Sequence, residues 1–420
     1  MKLSLADLAG TRATPTPRGL VSVCSAHPLV LRATLRHARD TETTALIEAT
    51  CNQVNHHGGY TGMTPADFAE LTRRIAREEG CDEALILLGG DHLGPNPWRD
   101  RPAEEALAEA GRMVADYVAA GFSKLHLDAS MGCAGEPEQT DDDLAAERAA
   151  RLAATAEDAA KTAGLPPPHY VIGTEVPPPG GADHAVDAVT PTAPEAARRT
   201  IDVHRDVFAK AGLEEAFERV VAAVVQPGVE FGVSGVAIYD PEAAAGLSAL
   251  LDDRPDLVFE AHSTDYQGEA PLAALVRTGF QILKVGPELT FVMREALYAL
   301  DAIAADLLPE RKGRALFAAM ESAMQGDPRH WKRHYADSEA HWQRHYAFSD
   351  RIRYYWPGAQ HALDDLFHAI EGRRIPLPLL MQHAPWALSA ADTPLDPAAF
   401  VMDRIRVSLD AYHAAAKDIS

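Results

Sequence analysis

The sequence predicts an α/β fold, a (β/α)₈ TIM barrel followed by a C-terminal helical extension. Three observations lead to this prediction: eight short apolar runs recur, amphipathic helical stretches separate them, and the alternation stops near residue 290. Runs that are almost wholly apolar are typical of strands buried on both faces of a parallel sheet. Strands that alternate with helices over about 270 residues indicate a closed barrel.

The predicted strands occupy residues 19–26, 44–50, 83–90, 123–130, 169–176, 220–228, 256–263 and 280–287. Helices are expected between them, and Thr64, Pro65 and Asp67 have the composition of a helix N-terminus. A doubly wound open sheet is the alternative, but no Gly-x-Gly-x-x-Gly segment follows the first strand. Residues 1–290 are therefore predicted to form the barrel, and residues 291–420 a helical extension packed on it.

The composition limits the possible partners. The chain has 420 residues and a formal net charge of -22, which argues against nucleic acid because phosphates repel such a surface. A local cluster of Arg and Lys could still bind a small anionic substrate. The four cysteines, Cys24, Cys51, Cys81 and Cys133, show no CxxC spacing. Neither a disulfide framework nor a thiolate zinc site is therefore expected.

The sequence also indicates where the protein works. No apolar run approaches the roughly 20 residues that span a bilayer. The N-terminus lacks the basic region and apolar core of a signal peptide. We therefore expect a cytoplasmic protein with no membrane partner, and the sequence leaves its oligomeric state open, a homo-oligomer included.

Polar residues mark the ends of the predicted strands. Catalytic groups of TIM barrels lie at the C-terminal ends of the strands. In chain order, those ends carry His27, Glu48, Asn52, Asp91, His92, Asp128, Glu175, Gln226, Glu260, His262, Asp265 and Lys284. A single Asp at such a place is more often a helix cap, but the whole set predicts a catalytic mouth. The double glycine Gly89-Gly90 is expected to turn the third strand sharply, so that Asp91 and His92 both face this mouth.

Several segments carry a family resemblance. "LGGDHLGPNPW", "LHLDAS", "GTEV", "LVFEAHSTD" and "LKVGPELT" resemble, in order, the strand ends of class II, metal-dependent ketose-bisphosphate aldolases. "LIEATCNQVNHHGGYTGMTPADF" and "SDRIRYYWP" resemble more closely the family of class II D-tagatose-1,6-bisphosphate aldolase non-catalytic subunits. That family has also been labelled tagatose-6-phosphate kinase, and its wider membership includes ketose 4-epimerases. The resemblance runs from near residue 20 to near residue 405.

The resemblance implies a divalent metal cofactor. His92 and His262 would hold Zn²⁺, Mn²⁺, Co²⁺ or Ni²⁺, since neutral imidazole suits these ions. Glu175 or Gln226 would assist as an oxygen ligand. The metal would polarise the C2 carbonyl of a ketose such as tagatose or fructose, with or without a phosphate group.

The resemblance also implies how protons move. Asp91 would take the proton from the C4 hydroxyl and return it. If the aldehyde fragment turns over before it adds again, the product is the C4 epimer. Such a 4-epimerase needs a second proton donor across the site, and Asp128 and Glu260 are the candidates.

Two segments depart from the aldolase pattern. The aldolases have a metal-binding histidine at the sixth strand, where this chain has Gln226-Pro227. They bind phosphate with a Gly-rich turn after the seventh strand, where this chain has "HSTDYQG" and Asp265 would repel a phosphate. Both departures count against bisphosphate cleavage. The absence of a GxxxxGK[ST] loop counts against a kinase.

Two functions therefore remain open. The first is a metal-dependent enzyme, most naturally a ketose 4-epimerase that works by retro-aldol and aldol chemistry. The second is a non-catalytic partner that stabilises a catalytic aldolase subunit, which the missing sixth-strand histidine favours. Asp91, His92 and His262 favour the enzyme, because buried charged groups are costly to keep together without a role. Bound divalent metal would discriminate between the two.

Seven residues are candidates for contact with the substrate. They are His27, Glu48, Asn52, Asp265, Lys284, Arg351 and Arg353. His27 could equally cap a helix, and Asn52 could belong to a glycine turn. Lys284 could form a Schiff base, although pairing with a carboxylate is favoured. Arg351 and Arg353 could bind a terminal phosphate through bidentate contacts or pair with surface acids.

Overall fold

The computed structural model of the protein describes residues 2–173 and 189–417. Eight parallel strands close into one barrel, in which each strand pairs with its neighbours in chain order and the eighth pairs with the first. The strands are Leu20–Cys24, Ala45–Thr50, Ile86–Leu93, Lys124–Leu127, His169–Ile172, Val220–Val224, Val258–Ala261 and Phe280–Val285. Each lies within or overlaps a predicted run, and the predicted TIM barrel is confirmed.

Helices cover the outside of the barrel. The main ones are Pro28–Thr41, Pro65–Glu79, Ala103–Ala119, Asp142–Ala163, Pro194–Lys210, Glu269–Arg277 and Pro287–Leu307. The predicted helix start at Thr64 is confirmed as a capping box. The Thr64 hydroxyl accepts a hydrogen bond from the Asp67 N–H at 3.3 Å, and the Asp67 carboxylate accepts one from the Thr64 N–H at 2.9 Å.

A small hairpin between the sixth and seventh strands was not predicted. Its strands, Glu230–Phe231 and Val236–Ala237, pair in antiparallel fashion. Strands of two residues are too short to show an alternating pattern in the sequence. The short helices Leu8–Arg12, Glu214–Phe217 and Ala245–Ala249 complete the part of the barrel region that the structure describes.

The N-terminal segment closes the bottom of the barrel. Leu3, Leu5 and Leu8 are buried in one cluster with apolar residues of the strands, Leu20, Leu46, Val171, Val221, Ala222, Val224, Val258 and Ile282. The Thr44 hydroxyl holds the segment in place, since it bonds to both the N–H and the carbonyl of Leu3 at 3.0 Å. The apolar half of the interior therefore lies at the N-terminal ends of the strands, and the polar half at the opposite mouth.

The C-terminal region is helical, as predicted. Its helices are Ala315–Gly326, Ala340–Tyr346, Gln360–Ile370, Leu377–His383 and Pro397–Ala416, with a 3₁₀ segment over Arg351–Ala359. The last helix packs against Pro28–Thr41, Glu269–Arg277 and Pro287–Leu307. The predicted division at residue 290 falls inside Pro287–Leu307, so one continuous helix joins the two regions. None of the helices that the structure describes is both long and apolar enough to cross a membrane.

Candidate active site

An irregularity in the third strand brings Asp91 and His92 to the mouth together. Gly90 pairs with Leu125 of the fourth strand, and the next pair is Leu93 with Leu127, so the third strand holds one extra residue. Such a bulge breaks the alternation of side chains. His92 takes up the bend with a φ of 50°. Both side chains are nearly buried, with 2% of Asp91 and 5% of His92 exposed.

The double glycine has a different role from the one predicted. Neither Gly89 nor Gly90 has a positive φ, so the turn does not depend on their flexibility. A Cβ atom at Gly89 would lie 2.7 Å from Cγ of Glu48, and one at Gly90 would lie 2.6 Å from Cδ1 of Leu93. The glycines leave space for neighbouring side chains, Glu48 inside the barrel among them.

Three imidazoles meet at the mouth. The ring centroids of His92 and His262 lie 4.9 Å apart, and those of His126 lie 5.0 Å from His92 and 5.2 Å from His262. One ligand atom from each of these residues and from Asp91 can be chosen so that all four lie within 4.8 Å of one another. This donor set fits a divalent transition metal, which favours imidazole nitrogen and carboxylate oxygen.

Carboxylates hold two of these rings from behind. Nδ1 of His92 lies 2.8 Å from the Asp128 carboxylate, and Nε2 of His262 lies 3.0 Å from the Glu260 carboxylate. Each contact fixes which ring nitrogen carries the proton and leaves the other nitrogen for a ligand. Burial lowers the pKa of His262 to about 3, which keeps this imidazole neutral, as a metal ligand must be.

The third ring also contacts a carboxylate, and its Nδ1 lies 3.2 Å from the backbone N–H of His92 as well. Nδ1 of His126 lies 2.9 Å from Oδ1 of Asp91. Its other nitrogen, Nε2, is buried and has no hydrogen-bond partner in the part of the chain that the structure describes. A buried nitrogen without a partner is costly, and a bound cation would satisfy it. This observation supports the fit of a metal to the three imidazoles.

A network of buried charges forms the floor of the site. Lys284 Nζ lies 2.9 Å from Asp91 and 3.2 Å from Glu260, and also contacts Glu48. Lys124 Nζ lies 2.5 Å from Glu48 and 2.7 Å from Glu260. The side chains of Lys124, Glu48 and Glu260 have no exposed surface. The network therefore fixes two ammonium groups below the imidazoles.

These charges set the protonation of the site. Burial opposes the charged form of Lys284, but Asp91 and the other carboxylates outweigh it and hold its pKa well above the usual value. Burial would likewise raise the pKa of Asp91, yet His92 and Lys284 hold it well below the usual value. A Schiff base requires a neutral amine, so the charged Lys284 is poorly suited to one. Asp91 is ionised, as a general base must be.

A cavity of about 670 Å³ opens above this floor. Seven of the candidate residues line it: Asn52, Asp91, His92, His262, Asp265, Lys284 and Arg353. Gln53, Tyr60, Ser263 and Tyr354 also line the cavity and were not predicted. Tyr354 belongs to the C-terminal extension, and its ring meets that of Tyr60 edge to face at 4.8 Å. The extension therefore forms one wall of the cavity.

Other candidates lie away from the cavity. Asp128 and Glu260 stand behind the imidazoles, and Glu48 lies in the floor. Arg351 is buried and donates to the carbonyl of His330 at 3.4 Å, whereas Arg353 reaches the cavity. The two arginines of one motif therefore have different surroundings.

Two further candidates fall outside the cluster of imidazoles. Oε1 of Gln226 accepts hydrogen bonds from the N–H groups of Gly228 and Val229, so this side chain stabilises its own turn instead of joining the cluster. His27 caps the helix Pro28–Thr41 and also lines a second, adjoining cavity. Glu175 lies outside the described residues.

The sequence did contain a signal for His126. Lys124, His126 and Asp128 alternate with apolar residues in "KLHLD", and alternate residues of a strand point to one face. In a strand whose other residues are apolar, three polar residues on one face indicate a polar site. The C-terminal end of this strand, taken alone, indicates only Asp128.

A polar cluster of this kind lies at the C-terminal mouth of a (β/α)₈ barrel, which is where enzymes of this fold carry their active sites. The chain belongs to the D-tagatose-1,6-bisphosphate aldolase subunit GatZ/KbaZ-like family, whose model matches residues 5–417. It is 56% identical over 422 residues to the D-tagatose 6-phosphate 4-epimerase of Agrobacterium fabrum, and the match covers 99% of each chain.

A solved structure is similar over nearly the whole chain. It is the crystal structure of a probable tagatose 6 phosphate kinase from Sinorhizobium meliloti 1021. The two chains are 48% identical and superpose with a TM-score of 0.86, and the match covers 95% of this chain and 100% of the other.

Proposed function

We propose that this protein interconverts D-tagatose 6-phosphate and its C4 epimer, D-fructose 6-phosphate, by retro-aldol cleavage and aldol addition. The observation that carries the proposal is the cluster of three imidazoles, each held by a carboxylate, beside an ionised Asp91 in an open cavity. The 56% identical relative named as a 4-epimerase supports the choice of substrate.

The cluster is the proposed metal site, with His92, His126 and His262 as the ligands. A divalent cation bound there would polarise the C2 carbonyl and stabilise the negative charge that develops when the C3–C4 bond breaks. Asp91 would take the proton from the C4 hydroxyl as that bond breaks, which gives an aldehyde at C4 and an enediolate over C2 and C3. The electron pair of the broken bond stays with the C1–C3 fragment.

Epimerisation then requires the aldehyde to present its other face. When the C3–C4 bond forms again, the new C4 alkoxide takes back the proton that Asp91 holds. We assign Asp128 and Glu260 as positioning residues, because both stand behind imidazoles and neither lines the cavity. Lys284 lines the cavity as an ammonium 2.9 Å from Asp91, so it lies beside the proposed base and would stabilise the ionised form of Asp91.

Arg353 and Asn52 are the proposed substrate contacts. The Arg353 guanidinium lies over the Tyr354 ring, 4.4 Å from its centroid, and donates to the Tyr354 hydroxyl at 2.8 Å. No carboxylate pairs with Arg353 among the described residues. Arginine forks match phosphate geometry, so Arg353 would bind the 6-phosphate. Asn52 would contact a hydroxyl group of the sugar.

A stabilising partner of a catalytic aldolase subunit is the second candidate, and the description of the family as an aldolase subunit favours it. The missing sixth-strand histidine had supported a degraded site. His126 of the fourth strand now supplies a third imidazole, which removes that support. The kinase name of the Sinorhizobium meliloti protein receives no support from this sequence, which has no GxxxxGK[ST] loop.

The test begins with protein stripped of metal by a chelator. Zn²⁺, Mn²⁺, Co²⁺ or Ni²⁺ is added in turn with D-tagatose 6-phosphate, and carbon NMR follows the products. We expect D-fructose 6-phosphate to form only with metal, and no deuterium to enter C3 or C4 in D₂O. Dihydroxyacetone and D-glyceraldehyde 3-phosphate should yield both epimers. The proposal fails if no metal restores epimerisation and the protein instead activates a separate aldolase subunit.

A further inference from the structure

The first turn after the eighth strand holds a carboxylate where barrel enzymes commonly hold a phosphate. In many TIM barrels, phosphate binds at the loops after the seventh and eighth strands, against the N-terminus of a helix. Here the helix Pro287–Leu307 starts directly after the eighth strand. Oδ1 of Asp265 accepts hydrogen bonds from the N–H groups of Gly286 at 3.0 Å and Glu288 at 2.8 Å.

We propose that Asp265 is a specificity-determining residue: its carboxylate occupies this anion site, so the enzyme accepts a ketose 6-phosphate and rejects a ketose that carries a second phosphate at C1. The inference rests on the proposed function for the identity of the sugar. The occupation of the anion site by Asp265 is a property of the fold and can be tested without turnover.

The surroundings of Asp265 oppose a further anion. Asp265 lines the cavity, yet only 2% of it is exposed. The Glu288 carboxylate stands at the same turn and accepts a hydrogen bond from the N–H of Tyr266 at 2.7 Å. Burial raises the pKa of Asp265 to about 7, and the charge of Glu288 adds to the rise. A negative charge is costly at this turn, and the neighbouring Glu288 carboxylate would repel a phosphate placed there.

Another part of the cavity lining is suited to phosphate. Arg353 lines both the 670 Å³ cavity and an adjoining cavity of about 870 Å³. The carbonyls of Ser349 and Asp350 hold one nitrogen of its guanidinium, at 2.5 Å and 3.1 Å. The proposed orientation therefore places the phosphate end of the substrate at the Arg353 guanidinium and the free C1 hydroxyl at Asp265.

The first experiment compares the wild type with Asp265→Gly, which empties the anion site, and Asp265→Asn, which fills it with a neutral group of the same shape. For each protein, the inhibition constant of D-tagatose 1,6-bisphosphate is divided by the KM of D-tagatose 6-phosphate. A general loss of affinity for sugar phosphates raises both constants and therefore cancels from this ratio. We expect this ratio to fall at least about tenfold in Asp265→Gly, because a like charge is removed and two N–H donors are freed. Asp265→Asn should lie between the two.

The second experiment separates this inference from the proposed function. Binding of D-fructose 1-phosphate is measured by calorimetry for the wild type, Asp265→Gly and Asp265→Ser, with circular dichroism as a check of folding. If the wild type does not epimerise, the proposed function fails, while tighter binding of the 1-phosphate to a folded variant still supports the occupied anion site. The inference is overturned if the wild type and a folded variant bind D-fructose 1-phosphate equally tightly. It is also overturned if the wild type binds the bisphosphate as tightly as the 6-phosphate.

Discussion

Asp91 and His126 form a buried pair across the third and fourth strands, with Oδ1 of Asp91 2.9 Å from Nδ1 of His126. The contact gives Asp91 two tasks, because it orients a candidate metal ligand and also faces the cavity. Asp128 beside His92 and Glu260 beside His262 only orient an imidazole, because neither carboxylate lines the cavity. Substitutions of Asp91 and of the candidate metal ligands would separate these two tasks.

Substitution can test whether His126 or Gln226, an oxygen ligand predicted from the sequence, contributes to metal binding. His126→Ala should weaken binding of Zn²⁺ or Co²⁺ by about 10–100-fold or more, since even residues that only orient metal ligands have effects of that size. Gln226→Ala is the matched control and should keep its metal, because Gln226 is bonded to its own turn. Metal content after dialysis measures both. Loss of metal from Gln226→Ala alone would contradict the assignment.

Asp91→Asn tests the proposed base. The amide keeps the size of the carboxylate but cannot take a proton, so turnover should fall by about 10²–10⁴. Metal affinity should fall by no more than the about 10–100-fold expected for a residue that orients a metal ligand, so excess metal should still fill the site. His92→Ala, in contrast, should lose both metal and activity. Steady-state kinetics and metal analysis of the two variants give the comparison. If Asp91→Asn unfolds and His92→Ala does not, Asp91 has a purely structural role.

The buried charge network should contribute strongly to stability. Lys124→Met removes one ammonium and leaves Glu48 and Glu260 to share Lys284. Breaking a buried ion pair typically costs about 3–5 kcal/mol. The exposed pair of Arg151 and Glu104 is the control, and Arg151→Met should cost about 0–1 kcal/mol. Urea unfolding gives both values, and similar losses in the two variants would contradict the prediction.

His413 should make the protein less stable in acid. Burial lowers its pKa to about 3, and nearby His37, stacked on it at 4.2 Å, adds to the shift. The unfolded chain takes up a proton below about pH 6.5, while the folded chain resists it until about pH 3. The contribution of His413 is therefore complete above pH 6.5 and is lost as the pH falls towards 3. Within this pH range, protonation of His413 in the unfolded chain should lower the free energy of unfolding by about 1.4 kcal/mol per pH unit.

The measurement compares urea unfolding of the wild type and His413→Gln between pH 6 and pH 4. The variant should show a slope smaller by about one proton. His341→Gln, at an exposed position, is the control and should leave the slope unchanged. Equal slopes for the wild type and His413→Gln would show that His413 protonates as readily in the folded protein as in the unfolded one.

The amino-acid sequence was sufficient to predict the barrel and most of the residues around its mouth. Buried parallel strands leave nearly continuous apolar runs, and the groups at their C-terminal ends must meet at one mouth. Asp91, His92, His262 and Lys284 could therefore be placed together without a structure. The departure at Asp265 was visible in the sequence as well, but the groups that its carboxylate contacts were not.

The contacts between side chains at the mouth depend on the folded chain and could not be predicted. The third imidazole, His126, comes from the fourth strand because closure of the barrel and the bulge at Asp91 and His92 set the register between the strands. Asp128 and Glu260 stand behind imidazoles for the same reason, since a shift of one residue turns a side chain to the other face. The hydrogen bonds of Asp265 to Gly286 and Glu288 depend on how two loops approach each other, which no local pattern of residues encodes.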